Sequence, residues 1–190
     1  WDLDIARRSI PIAMFDPTIR QLPHQVPGAT LYRLGIGKKT TSRRYLPLKD
    51  LLRIAGLADA QDLILKMDVE GAEWESLAEA TEPCLKTFSQ VVVEMHGLAG
   101  LKEKYRADLI LTGLKMLRES HVPVHVHANN FSGLERFDDY WIPDVLEVSY
   151  VRIDLLEMPI PATTIHGELD QPCEPRIAEI SLEGLLDVKV

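Results

Sequence analysis

The stretch LILKMDVEGAEW, Leu63 to Trp74, decides how the chain is read. Leu63 to Met67 has the length and apolar content of a strand buried on both faces. Asp68 falls where that strand ends, and Gly71 permits a sharp exit. Ala72 to Ala80 then reads as a helix, with Trp74, Leu77 and Ala78 on one stripe. Ligands of open α/β sheets bind outside the carboxyl ends of the strands, so Asp68 and Glu70 stand where chemistry is usually done. The plainer alternative is a pair of solvated loop carboxylates complementing the start of a helix.

Upstream of this stretch, Trp1 to Arg8 reads as the end of a helix, with Trp1, Ile5 and Arg8 at helical spacing. Ile10 to Phe15 is a short apolar run closed by Asp16-Pro17. An acid at the end of such a strand can accept hydrogen bonds from ribose hydroxyls, although Asp-Pro also starts turns. Gln21 to Gly28 reads as a loop, and Ala29 to Leu34 as a strand closed by Gly35-Ile36-Gly37. Those glycines either let the backbone approach a flat ligand such as adenine, with Ile36 as an apolar wall, or form a plain turn. Leu46 to Ala55 places Leu48, Leu51, Leu52 and Ala55 on one face, between Pro47 and Gly56, and predicts an amphipathic helix.

Downstream, Lys66 and Asp68 share one strand face, and pairing with Asp68 or Glu94 is one account of Lys66. Thr81 to Thr87, with Pro83, reads as a loop. Gln90 to Met95 is a second buried strand ending at His96-Gly97, with Glu94 and His96 on one face. A His beside a carboxylate can serve as a general base, or simply be a hydrogen-bonded core residue. Leu101 to Ser120 predicts a long helix with Ile110, Leu114 and Leu117 as its apolar stripe. Val122 to Val126 predicts a strand that aligns His125, His127 and Asn129. His-x-His could bind a metal, but no third ligand can be placed beside it from the sequence, so no metal centre is assigned. Phe131 to Trp141 reads as an aromatic, acidic loop able to lie over a ligand. Val145 to Ile153 is a strand expected to pair antiparallel and close the sheet edge. The prolines beyond Met158 predict an irregular C-terminal arm, residues 159–190, packed on the domain formed by residues 1–158, with a short helix or strand within Ser181 to Val190.

Composition narrows the function classes. In 190 residues, 46% are hydrophobic and 26% charged, enough for one globular domain with a real core. The net charge of −8 argues against a general nucleic-acid surface, and the one basic run, Lys38, Lys39, Arg43 and Arg44, reads as a solvated loop. No apolar run approaches the roughly 18–20 residues that span a bilayer, and no signal peptide is visible. Cys84 and Cys173 are far apart, suit a reducing, cytoplasmic setting and make no metal-binding pattern.

The string LKMDVEGAEWESL, with VVVEMHG and HVHANN after it and IAMFDPTI before it, resembles the signature of the FkbM family of S-adenosylmethionine-dependent methyltransferases and their methyltransferase-like relatives. The resemblance spans Ile10 to Arg152. It implies an α/β fold: a doubly wound, Rossmann-like methyltransferase sheet flanked by helices, with its last strand antiparallel. It implies S-adenosylmethionine as cofactor, with Asp16 on the ribose, Gly35, Ile36 and Gly37 bordering the adenine, and Asp68 near the methionine end. Asp68, Glu70 and His96 become the catalytic candidates, and His127, Asn129 and Asn130 lie on the substrate side. The family's first strand and Gly-rich loop would precede Asp16, and no G-x-G stands there, so an incomplete N-terminus is expected. The expected partner is a small-molecule acceptor, a sugar or lipid hydroxyl among the candidates. The acidic surface and the Phe131 to Trp141 loop leave room for a partner without identifying one, and a homo-oligomer is among the expectations. Two rivals remain: a degenerate methyltransferase fold acting as a binding module, and a metal-dependent hydrolase or transferase using Asp68, Glu70, His125 and His127.

Overall fold

The computed structural model describes residues 1–38, 43–137, 139–157, 165, 167 and 170–183. They form a mixed α/β structure that divides into two compact units, Trp1–Asp59 and Ala60–Val190.

In the first unit, α1 (Asp2–Arg7) leads to β1 (Ile12–Phe15), which pairs in parallel with β2 (Ala29–Tyr32). Phe15 and Tyr32 end the ladder opposite each other with their rings stacked at 4.9 Å. Gly35 and Ile36 do not turn. They form β3 (Gly35–Ile36), which pairs in parallel with β4 (Tyr45–Leu46). The glycines admit close packing: a Cβ at Gly35 would lie 2.7 Å from the Tyr45 ring, and one at Gly37 would lie 3.2 Å from the Tyr45 Cβ. The predicted amphipathic helix is α2 (Leu48–Ile54), with Leu48, Leu51 and Leu52 buried and Gly56 in the left-handed region just beyond its end. Of the basic run, Arg44 donates to the Pro17 carbonyl, and Lys39 lies outside the described residues.

The second unit holds a four-stranded mixed sheet in the order β5 (Leu63–Met67), β6 (Phe88–Met95), β10 (Leu146–Arg152), β7 (His121–Ala128). β5 and β6 are parallel, and the last strand, β10, runs antiparallel to both of its neighbours. The expected antiparallel pair forms, but β10 is inserted beside β6 and β7 takes the edge. One sheet face is buried through Met67, Val91, Val93, Met95, Val148 and Tyr150. Their core partners are Trp74 and Leu77 of α3 (Glu73–Glu79) and Ile110 and Leu117 of α5 (Lys104–Arg118). His121 is buried with them. Its Nε2–H donates to the Phe88 carbonyl, its Nδ1 accepts from Ser120, and burial lowers its pKa.

The opposite sheet face corrects one expectation. β5 is not buried on both faces: Ile64 and Lys66 are exposed, so Lys66 reaches solvent beside Asp68 at 3.6 Å. Two predicted loops are also ordered elements. Thr81 precedes a short helix, α4 (Glu82–Leu85), because Pro83 sits in the first turn, where proline starts a helix rather than breaking it. The Phe131 to Trp141 segment contains β8 (Leu134–Phe137), paired antiparallel with β9 (Tyr140–Pro143). The described part of the C-terminal arm is irregular, and residues 184–190 of the expected short element lie outside the described residues. Among the described residues, no helix is long and apolar enough to cross a membrane.

Candidate functional site

The site grows from the ends of the two parallel strands β5 and β6. Chain direction puts both carboxyl ends on one side, so Asp68 and His96, each one residue past its strand, become neighbours. The turn after β5 is tight. Glu70 has φ +52° and Gly71 φ +99°, a left-handed pair that glycine eases at the second position. It leaves the Glu70 side chain 86% exposed and aimed back over the strand end.

Glu73 holds this arrangement together. It is fully buried, and its two oxygens accept from the Gly71 N–H at 2.9 Å and the His96 N–H at 2.7 Å. Trp74, the next residue, donates from its indole N–H to the His96 carbonyl at 2.7 Å. The Glu-Trp pair at the start of α3 therefore grips the His96 backbone from both sides and ties it to the turn after β5.

His96 consequently faces a ring of carboxylates. Its Nε2 lies 3.9 Å from Asp68, 3.6 Å from Glu70 and 3.7 Å from Glu94, and its Nδ1 lies 3.6 Å from Glu73. The side chain is 13% exposed. Burial, and then the nearby charge of Asp68, raises the Glu94 carboxyl above its ordinary range, although Asn129 donates to it at 2.9 Å. Asp68, Glu70 and His96 present atoms close enough together to share a cation or a polar substrate group.

A second polar group continues across the same sheet face. Glu94, Glu147 and His127 stand opposite one another on β6, β10 and β7. His127 Nδ1 lies 3.2 Å from Glu147, and Cys173 from the tail donates to Glu147 at 3.0 Å. Burial and then the Glu147 carboxylate push the Cys173 thiol up to about 12. His125 is held separately, 2.9 Å from Asp170.

The three expected catalytic residues, Asp68, Glu70 and His96, are thus brought together, with Glu94 beside them. On the expected substrate side, Asn129 points at Glu94. Asn130 is buried, and its amide binds the tail through the Glu174 and Ile177 carbonyls and the Glu174 N–H. In the first unit, Asp16 follows β1, and the neighbouring Pro17 lies against Gly35, so the expected ribose and adenine residues adjoin each other. Asp16 Oδ1 accepts from the Thr18 N–H, the Thr18 hydroxyl and the Ile19 N–H, which lowers its pKa. Ile36 is half-buried beside them.

Glu73 and Glu147 escaped the sequence reading, and Cys173 entered it only as one of two distant cysteines that make no metal-binding pattern. The spacing D-x-E-x-x-E does mark Glu73: three acids cannot all be solvated loop charges when the third opens a helix whose next residue is a buried Trp. Nothing local marks Cys173, which lies 46 residues beyond His127 in the sequence. Comparison with protein-family models, with curated proteins and with solved structures gave no match.

Proposed function

We propose that the chain is an S-adenosylmethionine-dependent methyltransferase that acts on a hydroxyl of a small molecule, a sugar or a lipid. The observation that carries this reading is His96, gripped by Glu73 and Trp74 and turned toward Asp68, Glu70 and Glu94 at the carboxyl ends of β5 and β6. The antiparallel last strand, together with the resemblance carried by LKMDVEGAEW, supports the doubly wound methyltransferase sheet behind it.

The residues present suit the cofactor in part. Asp16 has its Oδ1 committed to the following turn, which leaves its other oxygen as the ribose acceptor. The close approach at Gly35 and Gly37 is filled by Tyr45, so Ile36 is the residue that would border the adenine. S-adenosylmethionine supplies, when bound, a methyl group on a sulfonium sulfur. The rest falls to positioning and proton removal. His96 Nε2 takes the acceptor hydroxyl proton, and the surrounding carboxylates stabilise the imidazolium that results. Asp68 and Glu70 accept hydrogen bonds from the acceptor and orient it.

A second reading places a divalent cation on Asp68, Glu70 and His96, whose atoms lie within 4.8 Å of one another. It differs from the four-ligand set expected of a metal hydrolase, because His125 and His127 engage Asp170 and Glu147.

Transfer of a labelled methyl group to a panel of sugar and lipid alcohols tests the proposal. His96→Gln should lower turnover about 10²–10⁴-fold while cofactor affinity holds. Unchanged turnover would remove His96 as the base. Activity abolished by a chelator and restored by magnesium would favour the cation reading.

A further inference from the structure

His127 poses a problem that no neutral tautomer solves. Its side chain is 5% exposed and stands between two carboxylates, with Nδ1 3.2 Å from Glu147 and Nε2 3.4 Å from Glu179. A carboxylate only accepts, so each asks for an N–H, and a neutral imidazole has one. With the proton on Nδ1, Glu147 is satisfied and Nε2 turns a lone pair toward Glu179. That nitrogen is buried without a hydrogen-bond partner. Cys173 stands on the other oxygen of the same Glu147, at 3.0 Å.

We infer that His127, Glu147 and Cys173 form a binding site for a zinc-class divalent cation. The ion takes the place of the Nδ1 proton and the thiol proton. The imidazole proton moves to Nε2, where it faces Glu179 at 3.4 Å, and the thiol proton goes to solvent. The resulting carboxylate–imidazole–metal chain is the usual support of a metal-bound His. A thiolate, an imidazole and a carboxylate together suit zinc rather than magnesium or calcium.

Distances agree with this assignment. Metal–ligand bonds of about 2.0–2.3 Å in a tetrahedron put ligand atoms roughly 3.3–3.6 Å apart. His127 Nδ1 lies 3.2 Å from one Glu147 oxygen and Cys173 Sγ lies 3.0 Å from the other, and one ligand atom from each of the three residues lies within 4.8 Å of the other two. Small side-chain shifts bring the three ligand atoms to that spacing. Three protein ligands leave a fourth position for water.

The ligands come from β7, β10 and the tail, so the ion pins the tail to the sheet. It adds to the hydrogen bonds by which Asn130 already holds Glu174 and Ile177. Because Glu147 stands opposite Glu94, the pinned segment borders the polar row that leads to His96. Metal binding at this site is independent of methyl transfer. It also explains why the sequence offered His-x-His without a third ligand: the others are the cross-strand partner of His127 and a residue of the irregular tail.

The test is titration of the metal-stripped chain with cobalt(II), followed by competition with zinc. One ion per chain should bind with a thiolate-to-cobalt charge-transfer band. Cys173→Ser should abolish the band and His127→Gln should weaken binding about 100-fold or more, whereas Cys84→Ser should change neither. Glu179→Gln should weaken binding by about 10–100-fold. Far-UV circular dichroism confirms that each variant is folded. Cobalt binding that lacks a thiolate band and is lost in Asp68→Asn would place the ion at the other acidic group and overturn the assignment. Absence of binding by the folded wild-type chain would overturn it as well.

Discussion

Among single residues, Glu73 holds the site in place. A carboxylate with no solvent exposure is tolerated because both its oxygens accept backbone N–H groups, from Gly71 and His96. Glu73→Ala orphans two half-buried backbone donors, at up to about 1–3 kcal/mol each, and urea unfolding should show the loss. Glu94 behaves oppositely. Its pKa is raised, chiefly by burial, so the folded state holds its proton more tightly than the unfolded state does. The charged form therefore costs stability above the folded-state pKa, and that cost vanishes below the ordinary carboxylate range, under about pH 4. Glu94→Gln keeps an oxygen for the Asn129 amide. It should raise the Tm at neutral pH and lose that advantage in acid.

At the scale of elements, the long helix α5 depends on a residue that periodicity alone passes over. Ile110 and Leu117 of the expected stripe are buried, but so is Gly113, and a Cβ there would lie 3.3 Å from the Leu77 Cβ and 3.4 Å from the Trp74 ring. This is the crossing point of α5 with α3. Gly113→Val should destabilise the protein by about 1–3 kcal/mol through overpacking, read by chemical denaturation. Alternation and apolar runs made β5, β6, β7 and β10 legible, because a face buried in a sheet leaves a period-two record. The β8–β9 pair was not legible. Its strands are short and largely exposed, with Tyr140 and Trp141 open to solvent, so no buried face leaves a pattern. Pro83 was misread for a different reason, since a proline is compatible with both a loop and a first helical turn.

At the scale of the whole molecule, the mixed sheet with one apolar and one polar face explains what could be read of the site. Asp68, Glu70 and His96 were legible because each follows the carboxyl end of a readable strand, and parallel strands bring such ends together. Glu94 was legible as a face-mate of His96. The partners that arrive from elsewhere, Glu147 across a strand pair and Cys173 from the tail, depend on strand order. Order is long-range information: β10 lies between β6 and β7 although β7 precedes it in the chain.

Calorimetric titration with S-adenosylhomocysteine tests the proposed methyltransferase function most directly. One saturable site per chain is expected, weakened by Asp16→Ala and retained in His96→Gln. A folded chain that takes up no S-adenosylhomocysteine, or binds it equally well after Asp16→Ala, would contradict it.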